Sequence, residues 1–293
     1  MAKNELIDSH HHLWDLSQIT YPWLEAKGSK RFFGQPDPIR KNYLPKDYSS
    51  DHQGQVSSSV HIQVGCIPAH NVRETQLISS FVEHGAPISA IIPSVDMRSD
   101  DLIEQLDLQQ AFPLVKGVRH MIGKSASENH QLPAFKGNEW IEAWRLLAKR
   151  KLTFDLQLTE EQYEDVYNAL FNVPELNVAI CHLGSPWDQS KDGFIRWQSA
   201  MKKFAQLPNC AMKISGFSMF NHGMIEERFT DYAHAAIDIF GPHRCMFGSN
   251  FPVDKLYISY NYLFKLWQKI FACYNQEESK QLAAGAASSF YQL

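Results

Sequence analysis

Cysteine is scarce in this sequence, and so are basic clusters and long apolar runs, and each shortage excludes a class of protein. The five cysteines, Cys66, Cys181, Cys210, Cys245 and Cys273, are odd in number, scattered and free of any CxxC pair. They argue against a disulfide framework or a thiolate metal cluster and fit packing thiols in a reducing compartment. The opening MAKNELIDS lacks the apolar core of roughly 7 to 15 residues that a secretion signal carries. No apolar run approaches the roughly 18 residues of a membrane span, so a soluble, cytoplasmic protein is expected. The formal net charge is −4, and the densest basic stretch is Lys149-Arg150-Lys151. That leaves no electrostatic footprint for a nucleic-acid backbone and points to a small-molecule partner. Neither GxGxxG nor GxxxxGK[ST] occurs, and no repeat, low-complexity tract or interdomain linker appears.

What the sequence does contain is alternation. Apolar residues make up 44% of 293 residues, enough for a large core, and a single domain over 1–293 is expected. Short β-rich runs at 6–12, 59–64, 88–95, 114–119, 153–158, 177–182, 211–215 and 245–248 predict eight strands. Between them lie helical patterns at 71–84, 101–110, 140–149, 160–171, 194–205, 226–239 and 257–271. Eight strands alternating with helices is the count of an α/β (β/α)8 TIM barrel, whereas a doubly wound open sheet usually has fewer strands and a glycine-rich first turn. One long irregular piece, 15–51, follows the first strand, which would place it at the barrel mouth.

Active sites of such barrels lie at the C-terminal ends of the strands, so the polar residues there carry the functional reading. In IDSHHHLW, His10 and His12 are two apart on a strand and share a face, so they can converge on one divalent cation; hydrogen-bonded core histidines are the structural alternative. VAICHLGSP ends a strand with His182, and VKGVRHM ends another with Arg119 and His120. A guanidinium there can take a substrate carboxylate in a fork or form an internal salt bridge. Asp155 with Gln157, Lys213 with Ser215, and His61 with Gln63 form polar faces that either pair internally or meet a ligand. Asn250 sits just past the last strand, with Asp254 further on and expected to leave the mouth. Trp14, Tyr21 and Trp23 on the long loop are candidates either to stack on a ligand or to pack on the barrel rim.

The motifs IDSHHHLWD, GVRHM, CHLGSP, KISGF and FGSNFPVDKL, in that order, resemble the amidohydrolase superfamily. Within it they are most similar to the amidohydrolase-2 group, which contains sugar lactonases such as fuconolactonase and rhamnonolactonase. The resemblance implies a (β/α)8 barrel and a hydrolase of a small cyclic ester, foremost a sugar (aldono-) lactone. A superfamily decarboxylase and a non-catalytic binding barrel are the alternatives. His10 and His12 match the HxH metal ligands, His182 the histidine ending strand six, and Arg119 a substrate-contacting arginine. A zinc or manganese ion on His10, His12 and His182 is therefore an option, though not a requirement. Two positions depart from the pattern. Asp155 and Gln157 stand where a metal-bridging residue is common on strand five, and the strand-eight aspartate is Asn250, whose amide is no base at neutral pH. The catalytic set expected is His182, Asp155 and Asn250; Arg119, His120, Lys213, Gln63 and Trp23 are expected to bind substrate.

Overall fold

The computed structural model describes residues 5–122 and 137–293. Eight parallel strands alternate with helices: β1 (Ile7–His11), β2 (Ser58–Ile62), β3 (Ile88–Ile92), β4 (Gly117–Val118), β5 (Thr153–Leu156), β6 (Val178–Ile180), β7 (Cys210–Ile214) and β8 (Cys245–Phe247). Every expected strand is present, and every one stops short of its predicted C-terminal end. His12, Gln63, Gln157, His182 and Ser215 lie just past a strand, and Arg119 follows β4 in an isolated bridge. Their side chains are thus freed from strict inward and outward alternation at the mouth.

Regular pairing covers two arcs, β1-β2-β3 and β4-β5-β6-β7-β8. Parallel bridges Ile91–Val115 and Ser94–Arg119 join β3 to β4. Across the other seam, Asn250 N donates to His10 O (2.7 Å) and His12 N donates to Phe251 O (2.8 Å). This is the TIM-barrel architecture expected, with a ladder that is not regular all the way round. The outer helices include Asn71–Glu83, Gly137–Lys149 and Tyr260–Phe271, each facing the strands with its buried residues. No helix among the described residues is long and apolar enough to cross a membrane.

The long piece after β1 contains two short helices, Pro22–Glu25 and Pro45–His52, and is pinned over the mouth. Trp23 Nε1 donates to Val64 O (2.8 Å), and Tyr257 Oη donates to Phe33 O (2.7 Å). Beneath, Glu74 is 2% exposed and accepts from Val64 N at 3.2 Å, which fixes the segment leaving β2.

Inside the barrel, Lys213 Nζ lies 2.5 Å from Asp155 Oδ2 and donates to Ser9 O at 2.8 Å. Tyr291, from the helix Ala286–Tyr291, donates to Asp155 Oδ1 at 2.8 Å. Both charged side chains are 0% exposed. This corrects the expectation that Asp155 acts as a base and Lys213 as a substrate ligand. Each is the other's counterion, because neither charge is tolerable in a dry interior alone.

These buried groups make two outcomes measurable. Lys213→Met leaves the Asp155 carboxylate uncompensated, and urea unfolding should show a loss of about 3 to 5 kcal/mol. Adding Asp155→Asn to that variant should recover part of the loss, and a double variant no more stable than the single would contradict the pairing. For Glu74, burial raises the carboxyl from its ordinary 4.5 to about 7. The native state therefore holds a proton that the unfolded chain has released, and stability falls as pH rises through that window. Glu74→Gln should remove this slope, so the melting temperature of the variant minus that of the parent should grow from about pH 5 to about pH 8. Parallel pH curves would contradict it.

Candidate active site

His10 is 0% exposed and His12 5% exposed where β1 meets β8. The strands approach so closely that a Cβ at Gly248 would sit 2.6 Å from His10 Cβ, so the FGSN sequence needs its glycine. His12 Nδ1 lies 2.8 Å from Ile62 O and Nε2 lies 3.3 Å from Asn250 Oδ1. Both oxygens accept, yet burial, the Arg119 charge and neighbouring imidazoles hold His12 well below its ordinary 6.5, which keeps the ring neutral. A neutral ring has one N–H, so only one of these contacts is a hydrogen bond; the shorter, from Nδ1 to Ile62 O, takes the proton, and Nε2 is left unprotonated at the cavity beside Asn250.

Asn250 holds a left-handed backbone at φ 56°, a conformation that asparagine tolerates, and its Nδ2 donates to Asp254 Oδ1 at 2.8 Å. Asp254 is 1% exposed and burial pushes its carboxyl up to about 7. It does not leave the mouth, as the sequence suggested. The carboxylate missing at position 250 stands four residues later, behind the amide.

His182 follows β6 in a turn where His182, Leu183, Gly184 and Ser185 have φ of 56°, 54°, 72° and 63°. Its Nδ1 lies 2.9 Å from Ser215 Oγ. Gly216, at φ 62°, leaves room for this ring, since a Cβ there would collide with His182 Nδ1. The His10 ring centroid is 5.1 Å from that of His12 and 4.4 Å from that of His182. Neither nitrogen of His10 has a partner. Desolvation first, and then Arg119, Lys213 and the neighbouring imidazoles, keep His10 and His182 well below their ordinary pKa as well.

Arg119 is 4% exposed. It donates to Gln63 O (2.9 Å) and Gln157 Oε1 (3.4 Å), while its Nε has no acceptor. These groups face a cavity of about 760 Å³. His12, Arg119, Gln157, His182 and Asn250 form its polar floor; Trp23, Phe32, Phe33, Met121, Met219 and Val253 form an apolar wall; Lys30 and Arg31 line it as well.

The cavity thus brings together His12, His182, Asn250, Arg119 and Trp23 from the expected set. His10 lies one layer below, towards the Lys213–Asp155 pair. Gln63 contributes its carbonyl to Arg119, and its buried Oε1 has no partner. His120 is not brought in: its Nδ1 accepts from Met97 N (3.0 Å) and its ring packs on Trp140 at 5.0 Å. Trp14, although 0% exposed, also lines the cavity, whereas Tyr21 is a 0% exposed core residue. Ser215 and Gln157, legible in the sequence only as parts of polar faces, turn out to orient His182 and Arg119.

Among the described residues, one trio brings its possible ligand atoms within 4.8 Å of one another: His10, Asp155 and Cys181. Asp155 there is already bound by Lys213 and Tyr291, and burial pushes the Cys181 thiol up to about 12. His10, His12 and His182 suit a zinc or manganese ion better. All three are neutral, His12 and His182 are oriented by outer partners, and the ring nitrogens of His10 are unpartnered, although among the described residues the ligand atoms of the three do not converge within 4.8 Å.

The family described as Amidohydrolase matches residues 7–293. An uncharacterized protein of Sinorhizobium fredii is 34% identical over the full length of both chains. An L-fucono-1,5-lactonase of Burkholderia multivorans is 26% identical over 87% of this chain and 84% of its own. A zinc-bound amidohydrolase structure from Burkholderia multivorans superposes with a TM-score of 0.82 at 24% identity over 99% of each chain. A match running from the first strand to the last residue makes this chain a member of the amidohydrolase family of enzymes.

Proposed function

We propose that this amidohydrolase opens a small lactone by attack of water at the barrel mouth. The observation that carries the reading is a neutral, buried His182 facing the same cavity as the Arg119 guanidinium. The names of the relatives support it: two L-fucono-1,5-lactonases and an L-rhamnono-gamma-lactonase align with 85 to 87% of the chain. Sugar lactones are accordingly the first substrates to try. The decarboxylases among the structural neighbours are 11% identical and share the fold alone.

With Nδ1–H donating to Ser215 Oγ, His182 Nε2 keeps a lone pair and takes a proton from water as the water oxygen bonds to the carbonyl carbon. Arg119 and the Asn250 amide stabilise the negative charge that develops on the carbonyl oxygen. The ring C–O bond then breaks, and the alkoxide leaves with the proton returned by His182. Asp254 acts through Asn250 by holding its amide in place. Were a zinc or manganese ion held by His10, His12 and His182, the Nε2 lone pair of His182 would serve as a ligand in place of a base, and the ion would supply Lewis acidity and lower the pKa of water towards roughly 7.

The test is a pH-indicator assay on a panel of lactones, with and without a chelator, using the parent and His182→Asn. Hydrolysis should fall by about 100-fold or more in the variant while its circular dichroism is unchanged. Undiminished turnover would remove His182 from the mechanism. No hydrolysis of any lactone by folded protein supplied with zinc or manganese would overturn the reading.

A further inference from the structure

His182 opens a turn that is wound left-handed. Four consecutive residues, His182, Leu183, Gly184 and Ser185, have φ between 54° and 72°, and Leu183 has ψ of 26°. The turn is closed by hydrogen bonds from Gly184 N to Cys181 O (3.0 Å) and from Ser185 N to His182 O (2.9 Å). Glycine takes this conformation freely, but in His182, Leu183 and Ser185 the Cβ crowds the following carbonyl. Such a run of side-chain-bearing residues persists only where its surroundings over-determine it.

Two donors on the outer helices do so. Trp197, on the helix Lys191–Phe204, donates its Nε1–H to Leu183 O at 2.6 Å. Tyr163, on the helix Tyr163–Leu170, donates its hydroxyl to Gly184 O at 2.5 Å. Both side chains are buried, and neither lines the cavity. A single left-handed turn has no following turn to satisfy its carbonyls, so without these donors two oxygens would be buried unpaired. With them, two successive carbonyls are fixed. His182, at the start of the turn, is thereby kept with Nδ1 on Ser215 Oγ and its ring at the cavity.

We infer that Trp197 and Tyr163 are positioning residues, whose N–H and O–H hold Leu183 O and Gly184 O in the left-handed turn that aims His182 at the cavity. Neither touches the substrate. This role rests on the reading of His182 as the base of a lactone-opening site, and it adds the residues that determine where that base stands.

Trp197→Phe and Tyr163→Phe each remove one donor and keep a ring in the core. In either variant kcat should fall at least about tenfold while KM stays within about threefold of the parent. The nitrogen-15 signals of the His182 ring should shift or split as the ring leaves Ser215. Adding Ser185→Gly lowers the cost of left-handed backbone without restoring the donor. It should recover part of kcat and move the His182 signals back towards those of the parent, a repair that lost packing around Trp197 or Tyr163 would not show. Parent-like kcat and His182 signals in the folded variants would overturn the inference, as would a loss that Ser185→Gly leaves unrepaired. The unmodified protein supplies a check that needs no variant to fold: the Trp197 indole proton should exchange slowly with deuterated water, and rapid exchange would contradict the clamp. The NMR measurements need no turnover, so displaced His182 signals without any lactone hydrolysis would keep the clamp and remove the lactonase reading. Lactone hydrolysis that both variants retain in full would do the reverse.

Discussion

The ion pair between Lys213 and Asp155 sets the electrostatics of the whole interior. At 2.5 Å and with both side chains 0% exposed, it cancels two charges in the middle of the barrel, and Tyr291 ties the C-terminal helix to the same carboxylate. What lies above it is therefore governed by desolvation. Three imidazoles stay neutral, and Arg119 is left as a buried cation whose hydrogen bonds among the described residues go to neutral oxygens of Gln63 and Gln157. Neutral nitrogen bases next to a buried guanidinium are what water activation and charge stabilisation at a carbonyl require.

Position follows from the two seams in the strand ring. At one seam, the hydrogen bonds between Asn250 N and His10 O and between His12 N and Phe251 O set His12 against Asn250. At the other, the Ser94–Arg119 bridge sets the guanidinium over Gln63 and Gln157. Glycines 216 and 248 are small because a histidine occupies the space that their Cβ would take. The residues that line the cavity floor lie where regular pairing ends.

Alternation along the chain made the eight strands and their helices legible, and strand-end position alone picked out His10, His12, His182, Arg119 and Asn250. The roles of Asp155 and Lys213 were not legible, because a polar residue on an inward face reads alike whether it meets a ligand or a partner two strands away. Their third partner, Tyr291, is 136 residues from Asp155 and reaches it only through the last helix. Asp254 was misplaced for a local reason. The chain after Asn250 turns back in the short helical segment Asp254–Leu256, and this buries a carboxylate that a straight exit from the strand would have exposed.

The most direct test of this site is nitrogen-15 NMR of the histidine side chains at about pH 6, where an ordinary imidazole is mostly protonated. The expected result is neutral rings for His10, His12 and His182, with the His12 proton on Nδ1. Imidazolium signals from His12 or His182 at that pH would contradict the desolvated, neutral site from which the proposed chemistry is built.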